Sequence, residues 1–135
     1  MTIIESIVQF LNQYEKEKIG VDKLGSSTMS YSLMKEPQEN VQRFISGLEV
    51  HTDYYQLAAR RDASSEADRI ANNAWGQGIA EWISQKEQAG EYPALDGYVC
   101  TGIGISTPFY FGASDNGSAV YQVTIKIEYR KEKSR

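Results

Sequence analysis

Residues 119–129 read Ala-Val-Tyr-Gln-Val-Thr-Ile-Lys-Ile-Glu-Tyr. Tyr121, Val123, Ile125, Ile127 and Tyr129 alternate with Gln122, Thr124, Lys126 and Glu128. Successive side chains of an extended chain point to opposite sides. A period of two with one apolar set therefore describes a strand with one face on a core and the other in water. That pattern suits an antiparallel sheet, because all-parallel sheets are covered on both faces and their strands read as continuous apolar runs. The rest of the chain has to supply the neighbours of this strand and the layer that covers its apolar side.

Other strands follow outward from it. Val99, Thr101, Ile103 and Ile105 alternate with Cys100, Gly102, Gly104 and Ser106. Met29, Tyr31 and Leu33 alternate with Thr28, Ser30 and Ser32, and Pro37, which has no amide donor, is expected to end that pairing. A strand is expected over 48–60, with Tyr55, Leu57 and Ala59 on one face and Val50, Thr52 and Tyr54 on the other. Between these two strands, 39–45 reads as a turn of helix, closed by the turn signal Ser46-Gly47.

The covering layer comes from two helices. The first is announced by Thr2 and Glu5 at capping-box spacing, followed by the stripe Ile3, Ile4, Ile7, Val8, Leu11 and Tyr14. Glu15 to Lys18 extends it as a solvated face, and Gly20 stops it. The second is capped by Ser64 or Ser65 and carries Ala67, Ile70, Ala71, Ala74, Trp75, Ile79, Trp82 and Ile83 at helical spacing. Gly76 and Gly78 inside it point to a kink or to close approach of another backbone. Gly90 ends the helix, and Pro93 prevents its resumption. The order α-β-β-α-β-β predicts a single α+β domain over 1–135. It is a two-layer sandwich in which a mostly antiparallel four-stranded sheet carries both long helices on one face. The charged residues 130–135 are expected to fray.

The chain has 135 residues, 41% hydrophobic and 24% charged, which is ordinary for one folded domain. A net charge of −4 makes the whole domain a poor grip for nucleic acid. The start of the chain has no basic cluster, and Glu5 interrupts its apolar run, so a secretory signal is not expected. The expectation is a soluble intracellular protein with Cys100 as a reduced thiol and no membrane contact.

Chemistry-bearing residues are sparse. The single histidine, His51, sits on a strand without an obvious nucleophile or second histidine, and reads as an ordinary strand residue. Cys100, among apolar neighbours, reads as a small hydrophobe. Gly102-Ile103-Gly104 is followed by Pro108 and no helix, so it is not a phosphate loop. Asp53, Asp62, Asp68 and Asp96 are scattered among different segments, without the spacing of a calcium loop. No catalytic, cofactor or metal residue is assigned, and no cofactor is expected. Trp75 and Trp82 read as core, with self-association the competing use. Phe109-Tyr110-Phe111 stands out, because three consecutive aromatics cannot all point inward from an extended segment. Tyr110 is assigned to the opposite face. Either the run serves a second packing layer or bulge, or it is a contact patch for another subunit.

Several strings together resemble structural proteins of tailed phages and prophages of Gram-positive bacteria. They are Ile3-Ile4-Glu5-Ser6-Ile7, Tyr31-Ser32-Leu33 with Pro37 after it, Phe44-Ile45-Ser46-Gly47, Tyr54 to Arg60, Ile79-Ala80-Glu81-Trp82-Ile83, Tyr92-Pro93-Ala94-Leu95 and Tyr121-Gln122-Val123. Such proteins are often labelled minor capsid proteins, and their element order resembles the tail terminators of long-tailed phages. The resemblance spans residues 3–129 and implies a virion protein without enzymatic activity. It implies a ring, usually a hexamer, that caps the tail tube and joins it to the head, with many such joining proteins monomeric until they meet a template. The implied partners are further copies, the tail tube protein and a head-completion protein, with DNA only as passing cargo. The implied locations are the virion and, during assembly, the cytoplasm of the bacterial host. The alternative is a small α+β enzyme or ligand-binding domain.

Overall fold

In the computed structural model, which describes residues 1–115 and 117–131, strand β5 (Ser118–Lys131) has a neighbour on each side. One neighbour is β3 (Glu49–Asp62) and the other is β4 (Tyr98–Asp115), both antiparallel to it. Beyond β3 lies β2 (Ser30–Arg43), also antiparallel, and beyond that the three-residue β1 (Ile19–Val21), parallel to β2. Helices α1 (Ile3–Leu11) and α2 (Glu66–Ala89) complete an α+β fold around a five-stranded mixed sheet of order β1-β2-β3-β5-β4. The expected sheet of four strands therefore gains a fifth at its edge.

The alternation in 119–129 sets the register of the core. Leu33, Leu57 and Val123 form one row across three strands, and Tyr31, Ala59 and Tyr121 form the next. Ile103 stands opposite Ile127 and Ile105 opposite Ile125. Ile7, Phe10 and Leu11 of α1 and Ile79 and Ile83 of α2 enter the same cluster. Each fully buried side chain of this size contributes about 1.5–3 kcal/mol.

Four local expectations are corrected. First, α1 stops at Leu11 instead of continuing through 15–18. The Asn12 side-chain amide donates to the carbonyls of Glu15 (2.7 Å) and Glu17 (2.9 Å) and turns the chain. Glu15 points inward and accepts from Trp75 Nε1 at 3.1 Å, so it is no solvated face. Gly20 lies in β1, whose short run carried no strand pattern.

Second, 39–45 contains no helical turn, and Pro37 does not end β2. Lys35 pairs with Tyr55 and Glu39 with Asp53, so β2 takes four steps where β3 takes two. The extra residues bulge around Pro37, which removes the need for its missing donor. Pairing then resumes to Arg43.

Third, the buried face of α2 is Asn72, Gly76, Ile79 and Ile83, while Ala67, Ile70, Ala71 and Ala74 are exposed. Asn72 wins its place through hydrogen bonding. It donates to the Asp62 carbonyl (2.8 Å) and the Tyr121 hydroxyl (3.2 Å), and accepts from Arg61 Nε (2.7 Å). A buried amide satisfied in this way carries no desolvation debt. The helix glycines admit side chains, not backbone: a Cβ on Gly76 would strike the Phe109 ring and one on Gly78 the Tyr14 hydroxyl.

Fourth, Arg130 and Lys131 belong to β5, and the remainder of the charged 130–135 segment lies outside the described residues.

The caps are as expected. Thr2 and Ser65 each complete a capping box, and Gly90 closes α2 with a left-handed φ of 68°.

Ile125 has no solvent exposure and sits at the centre of the cluster. Ile125→Asp is expected to unfold the domain, because an unpaired buried carboxylate costs several kcal/mol. Lys126→Asp, one residue along on the exposed side, should leave the thermal midpoint within a few degrees. Circular-dichroism melts of the two variants check the assignment of faces.

Candidate functional site

The features with functional content lie at the two sides of the sheet. On one side is β4, an edge strand of 18 residues paired with the 14 of β5. The difference is taken up at register shifts after Cys100, Ile105, Thr107 and Phe111. Each bulge bends the strand and sharpens its twist. These shifts separate the three consecutive aromatics. Phe109 lies between Trp75 (ring centroids 5.7 Å) and Tyr121 (5.0 Å, stacked) and packs against the core. Tyr110 points to the other side of the sheet, 42% exposed, where its hydroxyl donates to Gln122. Phe111 returns to the Tyr121 side but is 57% exposed. The run thus supplies one internal side chain and two surface ones on opposite faces, not a single patch.

Beside this edge, α2 and β4 enclose an open groove of about 460 Å³ walled by Ala80, Ile83, Ser84, Glu87, Ile103 and Ile105. Glu87 accepts from the Ile103 backbone N–H at 2.9 Å, so a helix carboxylate satisfies a donor that an edge strand would otherwise offer to a neighbour. Burial and the nearby Glu87 carboxylate both raise the pKa of the Tyr92 hydroxyl.

Cys100 sits at the foot of the same strand, buried, with its thiol 3.5 Å from the Gly102 carbonyl. Burial pushes its pKa from the ordinary 9.0 to about 11, with Glu87 and Glu128 adding to the rise. His51, on β3, lies flat on the Tyr129 ring with centroids 5.2 Å apart. The Tyr129 hydroxyl donates to the buried Asp53 at 2.9 Å. Burial and that carboxylate both raise the pKa of Tyr129. His51 meets this pair through its ring face, a packing arrangement and not a proton relay.

On the other side, β2 and β3 are joined by a hairpin turn that follows the Arg43–Glu49 pair. β2 and β3 stay paired up to Arg43 and Glu49. Gly47, with φ of 89°, makes the turn possible. At the tip Ile45 is 109% exposed, and Phe44 and Val41 are exposed with it. Sequence reasoning missed this surface because it assigned these apolar residues to a helical turn. The missed signal was the pair Phe44-Ile45 directly before Ser46-Gly47. Glu87 carried no sequence signal, because its partner is a backbone amide on a distant strand.

Among the described residues, no group of three or more His, Cys, Asp or Glu is placed to hold a metal ion. No helix among them is long and apolar enough to cross a membrane. No family model matches the sequence, and a search of curated proteins finds no match.

Cys100 in the native protein is expected to resist thiol reagents at neutral pH and to react on unfolding, read as a burst of label in denaturant. The native state holds the thiol proton more tightly than the unfolded chain. This group's contribution to stability is therefore complete below pH 9.0 and is lost as pH rises toward about 11. Cys100→Ala should flatten that part of the stability profile.

Proposed function

We propose that the chain is a virion structural protein of a tailed phage or prophage, a tail terminator or other head–tail joining component that acts as a ring of copies. The observation that carries this reading is the tip of the β2–β3 hairpin, where the apolar side chains of Phe44 and Ile45 are exposed and serve no core. Exposed large apolar groups of this kind mark protein contact. Phe111 offers a second contact on the far edge, and Tyr110 a third on the opposite face. In this reading the two helices share one face of the sheet. The partners are further copies, the tail tube protein and a head-completion protein. The protein resides in the virion after assembly in the host cytoplasm, and none of its side chains performs catalysis.

The groove beside β4 would also suit a small-ligand binder, the second reading. A ring gives several subunits in solution, whereas a small-ligand binder can be monomeric, so a multi-subunit mass favours the first reading.

DNA is cargo in this role and should slide. A ring built from chains of net charge −4 repels phosphate, whereas a basic lumen would hold it through counterion release. The assembled protein is expected to show no DNA binding at low salt by fluorescence anisotropy. Tight, steeply salt-dependent binding would instead identify a DNA-gripping joint. The direct test is negative-stain imaging of phage particles carrying the protein, tagged at its C-terminus. Label at the head-proximal end of the tail is expected; label elsewhere, or none, removes the reading.

A further inference from the structure

We infer that the chain forms a two-fold pair in which the outer edge of β2, over 38–44, adds antiparallel to the same edge of a second copy, with Val41 on the axis. The inference does not rest on the ring reading above, because a two-fold contact closes on itself. It starts from backbone that has no neighbour. β2 runs from Ser30 to Arg43, but β1 covers its outer side only at Tyr31–Leu33. Among the described residues no strand lies beyond 34–43, and no backbone hydrogen bond joins 39–43 to any element but β3. Amide and carbonyl groups alternate from side to side along a strand, so this edge presents a row of them outward.

The two edges of the sheet are not alike. β4 shifts register four times, and Glu87 takes the Ile103 N–H, which leaves it a poor template. β2 is interrupted once, around Pro37. From Glu39 to Arg43 it pairs step for step with β3 and holds no proline, glycine or lysine. A regular, unguarded edge is a template for another strand. Exposed apolar side chains gather along this part of the chain: Val21 of β1, Met29 just before β2, Met34 and Val41 within it, and Phe44 and Ile45 after it.

The order of residues selects a second copy as the added strand and fixes the register. Glu39 and Arg43 stand two residues on either side of Val41. About a two-fold axis at Val41, each Glu39 faces Arg43 of the second copy, Asn40 faces Gln42, and Val41 faces Val41. Directly opposed cross-strand pairs of opposite charge are favourable, and like charges are not. An axis at Glu39 or at Arg43 would set like charges face to face. Within each copy Glu39 bonds Lys35 at 2.8 Å and Arg43 bonds Glu49 at 3.0 Å, both at exposed positions. Pairing keeps these contacts and joins them end to end, so that Lys35, Glu39, Arg43 of the second copy and its Glu49 alternate in sign. Val41 is also the midpoint between Pro37 and Ile45, so the bulge and the turn bound the added segment equally in both copies.

The test reads register as well as mass. By sedimentation velocity at high protein concentration the wild type is expected to form dimers. Glu39→Arg and Arg43→Glu, at exposed positions, should leave the melting temperature within a few degrees and each weaken the dimer about tenfold or more, because each sets like charges opposite. Mixed in equal amounts, the two variants should pair with one another, since opposite charges then face at both ends of the segment. Opposed Cα atoms of an antiparallel pair lie about 4.5–5.5 Å apart, within disulfide reach. In a Cys100→Ala background, Val41→Cys should therefore cross-link to itself under mild oxidation, whereas Arg43→Cys, which faces Glu39, should not. A monomeric wild type overturns the pair. So do single variants that associate undiminished, a mixture no tighter than its components, or cross-linking at 43 equal to that at 41. An assembly above two copies without the cross-link at 41 also overturns it and leaves the ring reading standing. Tail imaging bears on the ring reading alone, so the two inferences fail separately.

Discussion

The register between β3 and β5 is the constraint on which the other elements depend. Residues 50–62 pair one for one with 130–118, without a single irregularity. Side chains alternate with a period of two, so a slip of one residue would turn Tyr55, Leu57 and Ala59 out of the core together with their partners. The same pairing delivers Val123, Ile125 and Ile127 to the core. It also places Tyr121 where Asn72 can bind it, which orients the first turns of α2. With the centre fixed, the outer strands are free to be irregular.

That irregularity is concentrated where it protects the fold. β2 bulges at Pro37, with Lys35 and Glu39 paired at 2.8 Å across the interruption. Along β4 the register shifts recur, and an acidic side chain covers one of its amides. Bulges, proline and charge are the means by which natural sheets avoid unintended pairing at their edges.

The parts legible in the sequence are those specified by local pattern. The alternation in 119–129, the Thr2 and Ser65 caps and the Gly90 stop all reflect interactions within a few residues. What was not legible depended on distant partners. The Gly76–Phe109 contact joins residues on different elements, so the glycine showed only that something approached. Ile70 fits the helical stripe better than Asn72, yet Asn72 is buried because Asp62, Arg61 and Tyr121 satisfy it. The strand nature of 39–43 was hidden because a bulge shifts the period midway. Of the candidate surface, Phe111 and Tyr110 could be suspected from three aromatics in a row, while Glu87 could not.

The place of β5 in the chain has a consequence for how the domain comes into being. An interior strand, paired on both sides, is the last of the sheet's strands in chain order. Until it emerges, β3 has only the β2 hairpin, and Leu57 and Tyr55 lack the neighbours that cover them. Pairing across so long a stretch of intervening chain is slow, because loop closure precedes any gain from contact. The nascent N-terminal portion therefore spends the period of elongation as an open hairpin with an uncovered apolar face, the kind of species that chaperones hold. Arrival of β5 then completes the sheet in one late step.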